Sequence, residues 1–358
     1  MKKNIIEYDI LRAFAVLLVV IGHCTYYKLN TDYGGTLLDI PNETCWATKL
    51  TNFITRVIYS FHMPLFIFLS GCLWRISVKE RNLPSFSHIF HNKAKRLLVP
   101  FILTALFWSI PLKYISGYWS GNWEDVLYQI FVGQILMYGN SNSHLWFLQA
   151  LFLIFIMSYF IEKFKLRNDA IRFMIILCIL SMIGRYGENN YYRFLNIQSS
   201  LMYLFWFYLG FYFELNREKI TNYITQNITW QTLIIMVIFY CLLVFTDIIF
   251  TTTYLSYYVL GLLGIIISFA TCIKTLRIIP SKYLNNIIKI STNSYGIYLY
   301  SDPINYLIIG IVSHYSLYTI LTTNVLSISV YIFRFLTTLF GALLVIKSIS
   351  YLKNRFSF

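Results

Sequence analysis

Two side chains near the start of the chain have the types and spacing of a reaction centre. They are Arg12 and His23, in EYDILRAFAVLLVVIGHC. A neutral imidazole is a general base near pH 7, able to take a proton from a hydroxyl. A guanidinium is a permanent, fork-shaped partner for phosphate or carboxylate. On a helix, eleven residues rise about 16 Å and return within about 20° of three full turns, so the two groups share one face at two depths. That arrangement suits a pathway with a fixed cation at one end and a base deep inside. The same spacing fits a plainer one, with Arg12 snorkelling to headgroups and His23 hydrogen-bonded at the opposite interface. Spacing alone does not separate the two.

Other polar groups sit in apolar surroundings. In NFITRVIYSFHMPLFIFLSGCLW, Arg56 and His62 are six apart and do not share a face closely. Pro64 there should remove a mid-helix donor and free a carbonyl, while Ser70 and Gly71 allow close backbone approach. Residues 75–96 hold the densest basic segment, including Lys93 and Arg96. It is expected to be a solvated positive loop, of a kind that binds phosphates well at helix ends. His88 and His91 lie within it three apart, and with only Glu80 beside them no metal site is expected. His144 and Trp146 open an apolar run in SNSHLWFLQAL. In STNSYGIYLYSDPINY, Tyr298, Ser301 and Asp302 fall within about one turn beside Pro303 and could form a polar cluster. Arg334 lies in the last apolar run, and pairing among such groups has a purely structural reading too.

The elements that must position these residues follow from composition. Of 358 residues, 58% are apolar and only 12% charged, against about 25% charged in ordinary soluble domains. Such a chain cannot hide its apolar surface in water. The expected class is all-α, a polytopic integral membrane protein with about ten transmembrane helices. They fall at residues 10–26, 53–74, 97–115, 145–161, 171–183, 200–215, 230–250, 255–273, 294–312 and 325–346. Residues 123–138 read as an interfacial or re-entrant segment. The alternation of a membrane barrel strand is not seen.

With the N-terminus inside, most of the 29 Lys and Arg fall in inner segments, and the outer ones hold only Lys28, Lys49, Lys113, Arg185 and Arg193. This asymmetry places both termini in the cytoplasm. The net charge of +14 is then topological, with attraction to anionic membrane lipids, and no nucleic-acid partner is implied. A cleavable signal is not evident. Cys24 and Cys45 both fall on the outer side, where they could pair, although the pattern does not call for it. The chain is expected to be one domain over 1–358, without an appended soluble domain.

The motifs together resemble the acyltransferase 3 family of membrane acyltransferases. Its first helix carries an Arg, ten intervening residues and a His, as Arg12 and His23 do here. MPLFIFLSG, NKAKRLLVP (with Arg96 and Pro100), HLWFLQAL and SYGIYLY resemble its later motifs and occur in the same order. Two departures stand out: Ala13 where many relatives have Gly, and Ser301 and Asp302 where many have a late His.

The resemblance implies O-acylation, usually acetylation, of a glycan or lipid-linked glycan at a bacterial cell membrane. The donor would be acyl-CoA, acetyl-CoA above all, used as a co-substrate with no tightly bound cofactor. It implies His23 as general base and Arg12, Lys93 and Arg96 as partners of the CoA phosphates. His62, Ser70, His144, Trp146, Tyr298 and Asp302 are candidates on the acceptor or oxyanion side. The rival expectation is a transporter or flippase of a polysaccharide or lipid-linked glycan, since charged groups and Pro-broken helices suit transport as well. No inverted repeat is apparent, and a glycan transporter has no reason to bind acyl-CoA.

Overall fold

The computed structural model describes residues 5–25, 45–81, 83–117, 123–136, 144–189, 194–250, 254–315 and 323–356. The regular structure among them is helical, as so apolar a chain requires. In hydrocarbon every backbone N–H and C=O must be bonded within its own segment, and a helix achieves that alone.

In chain order the helices are α1 (Ile6–His23), α2 (Trp46–Tyr59), α3 (His62–Arg81), α4 (Phe86–Lys93), α5 (Val99–Thr104), α6 (Ile110–Ile115), α7 (Trp123–Tyr128) and α8 (Trp146–Lys163). They continue as α9 (Ala170–Asn189), α10 (Ile197–Leu215), α11 (Arg217–Asn227), α12 (Trp230–Phe250), α13 (Tyr254–Leu276), α14 (Ser281–His314) and α15 (Asn324–Phe356). Helices α4 to α6 form one rod, interrupted by π-helical turns at Ala94–Leu98 and Ala105–Ser109. Each of those turns ends just before a proline, Pro100 or Pro111. A proline has no N–H to give the preceding turn, and a wider turn relieves the clash its ring makes there.

The outer surface is apolar as well as the core. Along α12, Ile234, Ile235, Ile238, Phe239, Leu242 and Phe245 are all more than half exposed, forming an apolar outer face that only a bilayer would cover. The interior meanwhile holds Lys113, Asp302, Asn305 and Arg334 at 2% exposure or less. By length and composition six helical stretches among the described residues could cross a membrane: Trp46–Lys79, Phe86–Ile115, Trp146–Lys163, Ala170–Gly187, Leu255–Leu276 and Asn324–Arg355. A seventh arises if Arg217–Asn227 and Trp230–Thr246, bent by 103°, count as one span. Helix α1 fails that measure because Glu7, Asp9 and Arg12 fall within its 18 residues.

Yet α1 lies at the centre of the molecule, packed against α2, α3, α13, α14 and α15. Against α14 it runs side by side in the same direction, because Asp9 meets Ser291 near one end and His23 meets Asp302 near the other. The most extensive packing joins α3 to α10, and small residues set its closeness. A Cβ on Gly71 would fall 1.8 Å from the Phe207 carbonyl oxygen, and one on Gly210 2.0 Å from that of Phe68.

Several local expectations change. The run 53–74 is not one unbroken helix, since the chain turns at Ser60 and Phe61 between α2 and α3. Pro64 therefore sits in the first turn of α3, where a missing donor costs little, rather than mid-helix. Most of 75–96 is helical rather than a loop. Helix α4 starts early because Ser85 caps it, its Oγ accepting from the His88 N–H at 3.4 Å. The segment at 171–183 extends to Asn189. The 123–138 segment is helical from Trp123 to Ile135, and its last two residues lie outside those described. Lys113, expected in an outer segment, is fully buried on α6, its Nζ 5.0 Å from the Tyr306 ring centre.

Because the atoms facing Gly71 are backbone and cannot rotate away, Gly71→Ala should lower stability by roughly 1–3 kcal/mol. A thermal unfolding midpoint in detergent, compared with that of Ser70→Ala on the neighbouring position, checks this.

Candidate active site

The site forms where the C-terminal end of α1 meets α14. His23 closes α1, and its Nδ1 lies 3.0 Å from Asp302 Oδ1. The second carboxylate oxygen of Asp302 faces His144, whose Nδ1 is 3.6 Å away. Asp302 and His144 are both 2% exposed, whereas His23 keeps 18% of its side chain accessible. Lys113 on α6 adds a further cation, fully buried, to this interior. A carboxylate this deep persists only with such partners, since an isolated buried charge costs several kcal/mol.

The chain prepares this place with Pro303. Without an N–H, Pro303 leaves the Leu299 carbonyl, one turn earlier on α14, short of its helical donor. His144 Nε2 lies 3.2 Å from that oxygen and supplies the hydrogen bond. With Nε2–H so used, Nδ1 is the nitrogen turned toward Asp302, and only the doubly protonated ring has a proton to offer there. Tyr298 fastens the same corner, its hydroxyl donating to the His144 carbonyl. For His23, Asp302 holds the Nδ1 side of the ring, so a neutral His23 carries its lone pair on Nε2. In that form the ring has what a general base needs, with a carboxylate behind it to orient it and balance a gained charge.

A second feature lies on the same faces of α1 and α14, toward the other end of both helices. A cavity of about 590 Å³ is lined by Arg12 and Val19 of α1, Ser70 of α3, Arg96 before α5, and Tyr295 and Tyr298 of α14. Arg12 is steadied by Asp9, 3.6 Å from it, and Asp9 accepts from Ser291 Oγ at 3.0 Å. Pro100 repeats the device of Pro303. It frees the Arg96 carbonyl, which accepts from Tyr295 Oη at 2.7 Å and ties α14 to the basic segment. The cavity reaches Val19 and Tyr298, each four residues before a member of the His23–Asp302 pair, so its inner limit lies about one helical turn from that pair.

The residues singled out from sequence thus fall into three groups. His23, His144, Asp302 and Tyr298 converge. Arg12, Arg96 and Ser70 line the cavity, which Tyr298 also reaches. Lys93, His62 and Trp146 go elsewhere. Lys93 Nζ lies 3.2 Å above the Phe155 ring, His62 Nδ1 is bonded to the Ile58 carbonyl at 2.9 Å, and Trp146 stacks on Tyr203. Cys24 and Cys45 are not joined in a disulfide; Cys24 Sγ lies 3.7 Å from Asn305 and Cys45 Sγ 3.7 Å from Ser327. Sequence reasoning missed Lys113, Asn305 and the place of Arg334. The one local signal was Asn305, three residues after Asp302 and so on the same face of α14.

Comparison with known proteins gives the family. The family model described as "Acyltransferase domain" (Acyl_transf_3) matches residues 5–347, nearly the whole chain. Among curated proteins, the "Probable poly-beta-1,6-N-acetyl-D-glucosamine export protein" of Staphylococcus epidermidis is 25% identical over 238 residues, covering 63% of this chain and 60% of that protein. The protein of the same name in Staphylococcus aureus strain N315 is 24% identical, covering 63% of this chain and 61% of it. The chain thus spans about three fifths of the length of these relatives. No solved structure matches it.

Asp302→Asn keeps the shape but replaces the acceptor facing His23 Nδ1 with a group that can donate, favouring the wrong tautomer. The expected result is a fall in turnover of roughly 10²–10⁴-fold with donor affinity retained. Initial rates and acyl-CoA binding, measured on purified folded protein, check both halves.

Proposed function

Because the chain belongs to the acyltransferase 3 family, we propose that it moves an acyl group, acetyl above all, from cytoplasmic acyl-CoA to a hydroxyl of a cell-surface or lipid-linked glycan. The observation that carries this reading is the His23–Asp302 pair, one helical turn beyond a cavity that Arg12 and Arg96 line.

In this reading the CoA phosphates stay near Arg12 and Arg96, which offer planar guanidinium forks to them. The pantetheine arm follows α1 inward. The rise of about 16 Å from Arg12 to His23 separates the charged end of the donor from its thioester. The acceptor hydroxyl gives its proton to His23 Nε2 as its oxygen attacks the thioester carbonyl carbon, forming a tetrahedral adduct. Asp302 stabilises the imidazolium formed. Collapse of the adduct breaks the C–S bond, the ester leaves on the glycan, and the departing CoA thiolate recovers the proton from His23. No proton is gained or lost overall. Lys93, turned onto Phe155, is the weakest of the three cations proposed for the donor.

The proposed setting is a bacterial cytoplasmic membrane. The chain would cross it about ten times with both termini inside, so that α1, α10 and α14 count as spans beside the seven that length and composition allow. That topology accords with the distribution of Lys and Arg. The acceptor class accords with the relatives' name, which specifies an N-acetylglucosamine polymer. The same name supports a second reading, in which the chain exports a glycan and the buried pair lines a translocation route.

The ester content of surface glycans in wild-type, deletion and His23→Ala strains separates the two readings. Loss of esters in both mutants, from glycan displayed at normal levels, is the expected outcome. Loss of the glycan itself from the surface would establish export instead. In the purified protein, Arg12→Ala should raise the KM for acyl-CoA roughly 10–100-fold, as expected on losing a charged hydrogen-bond partner, with a smaller change in kcat. Steady-state kinetics with varied donor test that separation.

A further inference from the structure

The mechanism above leaves one buried cation without a task. Arg334, on α15, is 1% exposed, and a guanidinium survives at that depth only among acceptors arranged for it. Its Nη2 lies 3.3 Å from the His23 carbonyl oxygen, and its Nε lies 3.3 Å from Asn305 Oδ1. Thr338, one turn further along α15, donates to the same Asn305 oxygen at 3.2 Å. Both acceptors belong to the elements of the site. His23 is the last residue of α1, so its carbonyl is among the four that no helical N–H reaches, at the end of the helix dipole where a cation is favoured. Asn305 follows Asp302 by three residues on the same face of α14.

We propose that Arg334 is a positioning residue for acyl transfer. It fixes the end of α1 against α14, so that the His23 ring meets the Asp302 carboxylate. It reaches the main chain of His23 rather than the ring, and Asn305 rather than Asp302, so it acts through the pair. Arginine suits the task because its rigid fork spans two acceptors on different helices, whereas a lysine presents one point charge. Such a clamp is needed because the terminal turn of a helix frays readily, and a base displaced by about 1 Å can lose 10²-fold in rate.

This inference rests on the reading of His23 as the base, and the experiment keeps the two apart. Arg334→Gln, Arg334→Lys, Asp302→Asn, His23→Ala and the double variant Arg334→Gln/Asp302→Asn are purified in detergent. Rates are expressed per monodisperse folded protein with acetyl-CoA as donor. Arg334→Gln should lower kcat about 10²-fold and leave the KM for acetyl-CoA unchanged. Arg334→Lys, which keeps charge at the helix end, should give a kcat between Arg334→Gln and wild type. In the double variant the loss should not exceed that of Asp302→Asn alone, as for two groups serving one contact. Wild-type kcat in Arg334→Gln, losses that multiply in the double variant, or a KM that carries the whole effect would each overturn the proposal. Should Arg334→Gln fail to fold, wild-type kcat in Arg334→Lys would do so by itself. Turnover surviving in His23→Ala would instead remove the assignment of the base on which the proposal stands.

Discussion

One buried carboxylate organises the centre of this protein. Asp302 is almost inaccessible, and an anion in such a place is held only by cations and hydrogen-bond donors brought from elsewhere in the chain. His23 arrives on α1, His144 on the segment leading into α8, and Lys113 on α6. Each occupies a fixed position because moving it away would leave charge uncompensated in an apolar interior. The pairing of α1 with α14 therefore rests on this side chain's electrostatics as well as on apolar packing. Away from this centre, α12 turns isoleucine, leucine and phenylalanine outward.

Proline is the second recurring device. Within a helix it costs a hydrogen bond, and in a membrane the freed carbonyl must find another donor. Here two such carbonyls receive side chains that shape the working part of the molecule. Leu299, freed by Pro303, is met by His144, which turns that ring's other nitrogen toward Asp302. Arg96, freed by Pro100, is met by Tyr295, which joins α14 to the basic segment along the wall of the cavity. The cavity and the histidine pair thus share both α1 and α14. An acyltransferase and a glycan exporter face a common problem, bringing a polar substrate to charged groups inside hydrocarbon. The relatives' name is therefore compatible with a shared core serving related ends.

Some of this was legible in the residues. Arg12 and His23 stand on one face of α1 because the helical period is a local property, and both look toward α14 as the spacing requires. Gly71 marks a close backbone approach, and Gly210 across from it completes that approach. Asp302 was visible as part of a polar cluster, but not as the partner of His23. Lys93 looked like a donor-binding cation from its neighbours in sequence, yet its ammonium lies over Phe155. Lys113 looked like an outer-segment cation and is a core one, because a single positive charge at the end of an apolar run reads alike whether it faces water or a buried carboxylate.

The sequence by itself determined the helical class, the apolar exterior and the residues able to do chemistry. Each of these depends on composition or on a period of a few residues, and neither needs to know what lies across the molecule. Only the tertiary structure decided which groups meet. His23 finds Asp302, and Arg334 finds both His23 and Asn305, across segments far apart in the chain. Those meetings depend on how helices cross, where they bend and how deep each charge comes to lie. Burial changes the worth of a charge by several kcal/mol, so the same aspartate, lysine or arginine is unremarked on paper and decisive once folded.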